Sequence, residues 1–335
     1  MKNSQTRRPL TRRRSRGCIA VSIAFALGLA TGPVLAQSAA LPDVPLRILV
    51  PTTPGSTPDL LARSIGPKFA ERLARALVVE NRIGASGAIG TEATVRAAPN
   101  GATLLIAAST LATGATLQAG LSYDAMRDLT PIVLMGWNRL VLVTHPKTGL
   151  RTAADLAAAA RKAPGRLNYG SPGVGTPNHL AAELFKVRAG VFMTHIPYRG
   201  TAPQITDVLG GQLDMAPLTI IAAAPHVRAG KLVALGITGD KRAALLPGVP
   251  SLTEAGFKDV QGDIWYGLFA PRGLPAELVA RLHAEMSQVL RAEEKSLADQ
   301  GFEVELSTPE GLGQLLARDT ARWAELIKKQ GIRAE

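Results

Sequence analysis

The sequence predicts an α/β protein made of two lobes that are joined by two crossover strands. Strand-like and helix-like patterns alternate through most of the chain after residue 41, which is typical of α/β folds with mainly parallel strands. Two apolar segments, Ile132–Thr144 and Gly262–Pro271, have the length and position expected of crossings between two halves. About 299 residues follow residue 36, enough for two domains of ordinary size. A cleft between the lobes would then close around a ligand.

The first 36 residues are predicted to be a cleaved signal peptide. Cys18–Ala30 forms an apolar core of 13 residues, shorter than the roughly 20 that span a bilayer. Val34–Ala36 resembles a cleavage site, so we expect a periplasmic protein that begins after Ala36. Ordinary secretion and the twin-arginine route both remain open. The basic residues before the core include Arg7, Arg8, Arg12, Arg13, Arg14 and Arg16.

Composition argues against a nucleic-acid binder. The net charge is +12, but residues 1–36 contribute seven positive charges and no acidic residue, which leaves +5 for the rest. Aromatic residues make up 4% of the chain, too few for a base-stacking surface. A mild positive charge suits an anionic small molecule. The only cysteine, Cys18, lies in the predicted signal, so no disulfide is expected.

The elements of the first lobe follow from short apolar runs and helical spacing. Leu60, Leu61, Ile65 and Phe69 recur at the spacing of one helix face, and a Gly-rich turn spans Gly84–Gly90. The predicted strands are Leu46–Val50, Leu77–Glu80 and Thr103–Ala107, with a second helix near Thr91–Ala98.

The second lobe repeats this alternation, and the chain then returns to the first. The predicted helices are Thr152–Lys162, Pro177–Arg188 and Pro203–Leu209, and the strands are Leu167–Gly170, Met193–Tyr198, Asp214–Ile221 and Leu232–Thr238. After the return crossing come helices Pro275–Leu290 and Pro309–Gln330. The apolar face of the last helix is expected to pack on the first half. The predicted lobes are residues 41–138 with 265–335, and residues 139–264.

Three loops are candidates for ligand binding because each joins a strand end to a helix start. Pro51–Asp59 offers hydroxyl groups, a glycine that permits close approach, and an acidic residue in the first helical turn, although a capped helix start explains it equally well. Asn168–Thr176 contains three glycines, but its spacing lacks the dinucleotide-binding pattern because Asn178 replaces a glycine. Tyr198–Asp214 combines a strand exit, a helix with Pro203 in its first turn, and a Gly-Gly stop.

Strand ends in open α/β sheets usually face a ligand crevice, which adds Ser109 and Thr110. Asp214 is a candidate contact for a ligand amine or an ordered water, and a solvated strand start is an equal alternative. The predicted ligand-binding residues are Thr53, Pro54, Gly55, Ser56, Thr57, Asp59, Ser109, Thr110, Ser171, Gly173, Val174, Gly175, Thr176, Tyr198, Gly200, Thr201, Ala202 and Asp214.

Several separated motifs carry a family resemblance. The stretch Tyr198–Asp214 matches the pattern Y-x-G-x-x-P-A-x-x-D-x-x-G-G-x-x-D except that Gln204 replaces alanine. V-E-N-R at Val79–Arg82, N-Y-G-S-P-G-V-G-T at Asn168–Thr176 and W-Y-G-L-F-A-P at Trp265–Pro271 add to it. Over residues 41–335 the chain resembles the Bug-type, or tripartite tricarboxylate transporter, substrate-binding proteins.

The resemblance implies a type II periplasmic binding protein fold and capture of a small carboxylate: an organic acid, an acidic amino acid or an aromatic acid. It implies transporter membrane subunits or a sensor kinase as partners, and we expect a monomer without a cofactor. The chain departs from the family pattern at Thr52, which replaces phenylalanine, at Ser56, which replaces glycine, and at Pro217–Thr219, where Asp or Asn is common. These departures predict a different ligand preference.

No catalytic constellation is visible. The sequence has neither a G-x-S-x-G elbow nor an H-E-x-x-H motif, and no metal site or catalytic residue is predicted. A periplasmic hydrolase or transferase that acts on a small acid in the same cleft is the alternative function, and a peptide-binding chaperone is a further rival. Each histidine is expected to be a core or surface residue: His145, His179, His195, His226 and His283.

Overall fold

The computed structural model describes residues 40–118 and 120–333. The predicted signal peptide lies outside these residues. Within the described ranges, no helix combines the length and apolar character needed to cross a membrane.

Alternating strands and helices run through the described chain. The strands are β1 Leu46–Val50, β2 Leu77–Asn81, β3 Thr103–Ala108, β4 Leu129–Asn138, β5 Leu140–Thr144, β6 Asn168–Ser171, β7 Thr194–Pro197, β8 Ala216–Thr219, β9 Val233–Ile237, β10 Ile264–Pro271 and β11 Glu303–Val304. The helices are α1 Thr57–Arg72, α2 Ala88–Val95, α3 Thr110–Leu117, α4 Ala125–Asp128, α5 Ala153–Lys162, α6 Pro177–Ala189, α7 Thr201–Leu209, α8 Ile220–Arg228, α9 Ala276–Ala292, α10 Glu294–Asp299 and α11 Pro309–Gln330.

The strands form a separate sheet system in each lobe. The first lobe holds a six-stranded sheet in the order β11-β4-β10-β3-β1-β2. The second lobe holds β8-β5-β9 and β6-β7, and a parallel bridge between Tyr169 and Met215 links β6 to the segment before β8. Helices α1 and α9 cover one face of the large sheet, and α11 packs on the other through Leu312, Leu316 and Trp323. The predicted α/β fold of two lobes is confirmed.

The prediction of mainly parallel strands is wrong. Among the described strands, β2 and β3 pair parallel with β1, and β6 pairs parallel with β7. The other five pairings are antiparallel. Strand β4 leads out of the first lobe and β10 leads back into it, so these two neighbours run in opposite directions. Their pairing makes the centre of the large sheet antiparallel.

Most predicted elements agree with the structure, but four of the described helices were not predicted: α3, α4, α8 and α10. The sequence predicts one strand over Asp214–Ile221, whereas β8 stops at Thr219 and α8 begins at Ile220. Helix α3 has three threonines and Gly114 among its eight residues, a composition with low helix propensity. Packing against α11 outweighs that local preference.

One residue, Arg139, separates β4 from β5 at the first crossing. Its Nη1 donates to Asp263 Oδ2 at 2.6 Å and its Nε donates to Glu303 Oε2 at 2.8 Å. Asp263 precedes β10 on the returning segment, and it also accepts hydrogen bonds from Thr238 Oγ1 and the amide of Leu140. Both crossings are therefore bound to one another by a buried ion pair, in which the two side chains are 9% and 6% exposed.

We expect Arg139→Met to lower the free energy of unfolding by about 3–5 kcal/mol, because it leaves the buried Asp263 carboxylate without its cation. Urea unfolding followed by circular dichroism measures this. The control is Arg242→Met, which removes an exposed pair with Glu254 and should cost at most about 1 kcal/mol. Equal losses in the two variants would contradict the assigned role of Arg139.

Candidate functional site

The first site loop, Pro51–Asp59, is shaped by the carboxylate at its end. Asp59 is 2% exposed and accepts hydrogen bonds from the Gly55 amide at 2.9 Å, Arg63 Nε at 3.0 Å and Asn81 Nδ2 at 2.9 Å. Burial alone would raise the pKa of Asp59, but the hydrogen bonds outweigh it and hold the pKa below its usual value. Asp59 therefore positions the loop from behind and remains ionised.

The exposed part of this loop leads directly into α1. Thr53, Pro54 and Gly55 are exposed, and Ser56 and Thr57 are half-buried. The first amides of α1 have no partner within the helix, and the helix dipole favours an anion there. Thr57 Oγ1 accepts from Asn138 Nδ2 at 3.2 Å, which ties the loop to the end of β4.

Unpaired polar atoms mark the end of β3. Ser109 is 3% exposed and its buried Oγ has no hydrogen-bond partner, as is also true of Asn138 Oδ1. Thr110, the first residue of α3, lines a small cavity of about 20 Å³ together with Pro51. Buried polar atoms are nearly always paired, so the unpaired Ser109 hydroxyl is an exception among the buried groups of the first lobe. Asn138, at the end of β4, was not predicted as a site residue, and its Oδ1 is likewise unpaired.

In the second lobe, hydrogen bonds hold the two site loops side by side. The Tyr198 amide donates to Ser171 O at 2.9 Å, and the Gly200 amide donates to Pro172 O at 3.0 Å. Helices α6 and α7 consequently begin next to each other. Thr201 and Ala202 start α7 with Gly200 as an N-cap that has no side chain, so no side chain caps the first-turn amides.

The loop before α6 is held by its own side chains. Thr176 Oγ1 donates to Gly173 O at 2.8 Å, and the Gly173 amide donates to Ser171 Oγ at 3.3 Å. Gly173 and Gly175 have φ of 152° and 72°, a region that favours glycine. Val174 lies between them and is half-buried.

This loop approaches the first lobe closely at Gly175. A Cβ atom placed on Gly175 would lie 2.1 Å from Leu117 Cδ1 of α3. Since α3 belongs to the first lobe and Gly175 to the second, the lobes already touch at this edge of the cleft. A side chain at position 175 would obstruct that approach.

The structure does not bring Asp214 to these loops. Its carboxylate accepts from the Asn168 amide at 2.8 Å, and Asn168 Oδ1 accepts from the Asp214 amide at 3.0 Å. Asn168 begins β6, whereas the candidate loop follows the other end of that strand at Ser171. Tyr198 lies beside the loops, but its hydroxyl donates to Asp207 at 2.6 Å, and burial together with this carboxylate raises its pKa to about 12.

Two histidines that the sequence analysis regarded as ordinary core or surface residues support the second-lobe loop. His195 Nε2 lies 2.7 Å from Ser171 Oγ, and His179 Nδ1 accepts from the Gly175 amide at 2.9 Å. The two rings stack with their centroids 3.9 Å apart. The pair therefore fixes both ends of the Ser171–Gly175 turn, and only the fold brings residues 16 positions apart into this stack.

Burial keeps both imidazoles neutral. Desolvation lowers the pKa of His179 to about 3 and that of His195 to about 4. Glu183 lies behind the stack, accepts from Lys186 Nζ at 2.6 Å, and also accepts from the Tyr169 hydroxyl. The charge of Glu183 is thereby compensated without protonation of a histidine.

Gln204 and Pro217, which both depart from the family pattern, contact each other. Gln204 is fully buried and its Nε2 donates to Gly170 O at 3.0 Å and to Pro217 O at 3.1 Å. Asn178 Nδ2 donates to the same Pro217 oxygen at 2.9 Å. The altered residues thus bind β6, α7 and β8 together beneath the loops.

Within residues 40–118 and 120–333, no group of three or more His, Cys, Asp or Glu residues is placed to hold a metal ion. Trp265 and Tyr266 are 0% and 4% exposed. Trp265 Nε1 donates to Asp319 at 2.7 Å, so this aromatic pair lies in the core of the crossing.

Two lobes with facing loops at strand ends define the class of periplasmic binding proteins. The model of the tripartite tricarboxylate transporter family receptor matches residues 61–332, and the chain belongs to this family. It is 33% identical to Protein BugT of Bordetella pertussis over 93% of this chain and 96% of that protein. It is therefore a solute-binding receptor by family.

Solved structures show the same architecture. An adipate-bound protein from R. palustris superposes with a TM-score of 0.76 at 30% identity, covering 88% of this chain and 99% of that one. MatC from Rhodopseudomonas palustris, with bound malate, has a TM-score of 0.71 at 29% identity, covering 85% and 99%.

We expect the stability difference between wild type and His179→Gln to depend on pH. The pKa of His179 is depressed below the roughly 6.5 of an unfolded histidine, so the wild type loses stability as the pH falls below about 6.5, where only the unfolded chain takes up the proton. The variant lacks this loss. Its free energy of unfolding relative to the wild type should therefore rise by about 2–3 kcal/mol as the pH falls from 7 to 4.5. Urea titrations at both pH values measure it; a constant difference would contradict a buried neutral His179.

Proposed function

We propose that this protein captures a small carboxylate between its lobes. The observation that carries the proposal is a set of donors without a partner in the chain: the buried Ser109 hydroxyl, and the first-turn amides of α1 and α7, which no side chain caps. Helix amino termini and hydroxyl groups are suitable partners for an anion. The adipate and malate bound by related structures support this ligand class.

The proposed contacts come from both lobes. They include Thr53 and the Pro54–Thr57 segment with Ser109 and Thr110 on the first lobe, and Ser171, Gly173–Thr176 and Gly200–Ala202 on the second. Asp59, His179 and His195 position these loops from behind. Asp214 is left out because its carboxylate bonds the far end of β6.

Capture is proposed to proceed by closure of the lobes, residues 41–138 with 265–335 against residues 139–264. A ligand carboxylate that touches both loops contacts the closed form more than the open form, and only such a difference can shift the equilibrium. The closed protein would then be recognised by membrane subunits of a tripartite tricarboxylate transporter or by a sensor kinase. The family assignment supports this role, a periplasmic location, and export by a cleaved signal peptide.

A thermal-shift screen of the purified protein against dicarboxylates, tricarboxylates, acidic amino acids and aromatic acids tests the function. We expect a saturable rise in Tm with one class, because a ligand that binds only the folded state stabilises it. Recovery of the unchanged acid after incubation would distinguish a receptor from a hydrolase or transferase. No shift with any acid would overturn the carboxylate assignment, and conversion of the acid to a product would overturn the assignment as a receptor.

The variant Ser109→Ala locates the binding. We expect it to weaken affinity for the identified acid about tenfold, as expected for loss of one hydrogen bond to a charged group. Its matched control is Ser287→Ala, because the Ser287 hydroxyl is also buried and unpaired but lies on α9. Both variants should unfold at similar urea concentrations, and equal affinities would remove Ser109 from the site.

We expect Gly175→Val to weaken ligand binding at least about tenfold by reducing the fraction of molecules able to close. Gly190→Val is the control, because Gly190 has a comparable φ of 62° but no atom near its Cβ position. The two variants share backbone strain and differ in the contact with Leu117. Calorimetric titration measures affinity, and small-angle scattering measures closure; normal closure in Gly175→Val would contradict the proposal.

A further inference from the structure

A second cavity lies beside the crossing strands, away from the cleft described above. Its volume is about 400 Å³, within the usual size range of small-molecule sites. The first lobe contributes Trp137 of β4 and Arg318 and Arg322 of α11 to its walls, and the second lobe contributes the Gly239–Lys241 turn. In the large sheet, β4 and β11 lie on the other side of β10 from β3 and β1. The cavity is therefore separated from the carboxylate loops, and we name it the hinge cavity.

Several charged groups of the hinge cavity are already paired. Arg139 binds Asp263 and Glu303. Asp319 accepts from Trp265 Nε1 at 2.7 Å and pairs with Arg322 Nη2 at 3.0 Å. These contacts build a fixed polar floor that needs no ligand.

Two donors on this floor are not paired. Trp137 Nε1 and Arg322 Nε are buried atoms without a hydrogen-bond partner, although a buried N–H that lacks an acceptor is costly. Burial lowers the pKa of Arg322 despite the nearby carboxylates of Asp319 and Asp263. The two residues that carry these donors, Trp137 and Arg322, both line the hinge cavity.

The mouth of the hinge cavity carries both signs of charge. Lys241 and Arg318 are exposed cations, and Asp240 and Glu305 are exposed acids. None of these four side chains has a hydrogen bond or ion pair with any other described residue. The lining contains four basic and four acidic side chains in all. A ligand with several negative charges would face four carboxylates, whereas a ligand with one charge of each sign matches both sets.

We propose that the hinge cavity binds a small zwitterion, such as a free amino acid with an apolar side chain. Its carboxylate accepts from Trp137 Nε1 and Arg322 Nε, and its ammonium group faces Asp240 and Glu305. The apolar side chain packs against the Trp137 ring and Leu315, which are both half-buried. This proposal is independent of the carboxylate site.

The position of the hinge cavity links it to the lobe angle. Its walls come from segments on both sides of the crossing, so a rotation of the lobes changes the distance between Lys241 and α11. A ligand that bridges these walls binds the lobe arrangements with different affinities. By thermodynamic linkage it then changes the affinity of the front cleft, and the front ligand changes its affinity by the same factor.

The test is calorimetric titration of the full protein with L-phenylalanine, L-leucine and L-glutamine, each up to about 10 mM. For the amino acid that binds, the matched compounds without the amine or without the carboxylate are titrated as well; for L-phenylalanine they are 3-phenylpropanoate and 2-phenylethylamine. We expect saturable binding of at least one amino acid, and at least about tenfold weaker binding of both its analogues. No binding of any amino acid would overturn the proposal, and equal affinity for the deaminated acid would overturn the zwitterion assignment.

Variants place the binding in the hinge cavity. Trp137→Phe keeps the ring and removes the indole N–H, and Arg322→Gln removes the guanidinium; each should weaken amino-acid binding about tenfold. Arg281→Gln, an exposed arginine on α9, is the matched control and should bind normally. Trp137→Phe remains informative if Arg322→Gln fails to fold. Normal binding by Trp137→Phe would show that the amino acid occupies another site and would overturn the proposal.

Discussion

The ion pair between Arg139 and Asp263 is the contact on which the two-lobed arrangement depends. The chain leaves the first lobe at Arg139 and returns just after Asp263, so this pair binds the outgoing crossing to the returning one. Thr238 and the amide of Leu140 complete the hydrogen bonds of the carboxylate. A buried charge needs such partners, so this ion pair holds the two crossing segments together where the lobes meet.

Side chains that lie behind each loop set the geometry of the site. In the first lobe Asp59 holds the turn at Gly55, and in the second His179 and His195 hold Gly175 and Ser171. The groups that face the cleft are largely amides and hydroxyls. With the proposed recognition through the backbone, small changes in the loops would alter the ligand without altering the scaffold.

The crossing strands separate two proposed sites of different chemistry. In the front cleft, the proposed contacts are amides and hydroxyls, which carry no net charge. On the other side, the hinge cavity combines unpaired donors with side chains of both signs. Since residues of both lobes contribute to each side, the proposed closure of the lobes would change both.

The sequence by itself determined the class of fold, most of the helices and strands, and the three loops. Glycine and proline positions delimit these elements locally, which is why β1 and α11 coincide with their predicted bounds. The antiparallel centre of the large sheet, helix α3 and the stacked histidines were decided by tertiary structure, because they depend on which distant segments meet. The same reason explains Asp214, which belongs to a matching motif but bonds Asn168, and the unpaired Trp137 and Arg322 donors, whose shared cavity exists only once the lobes are assembled.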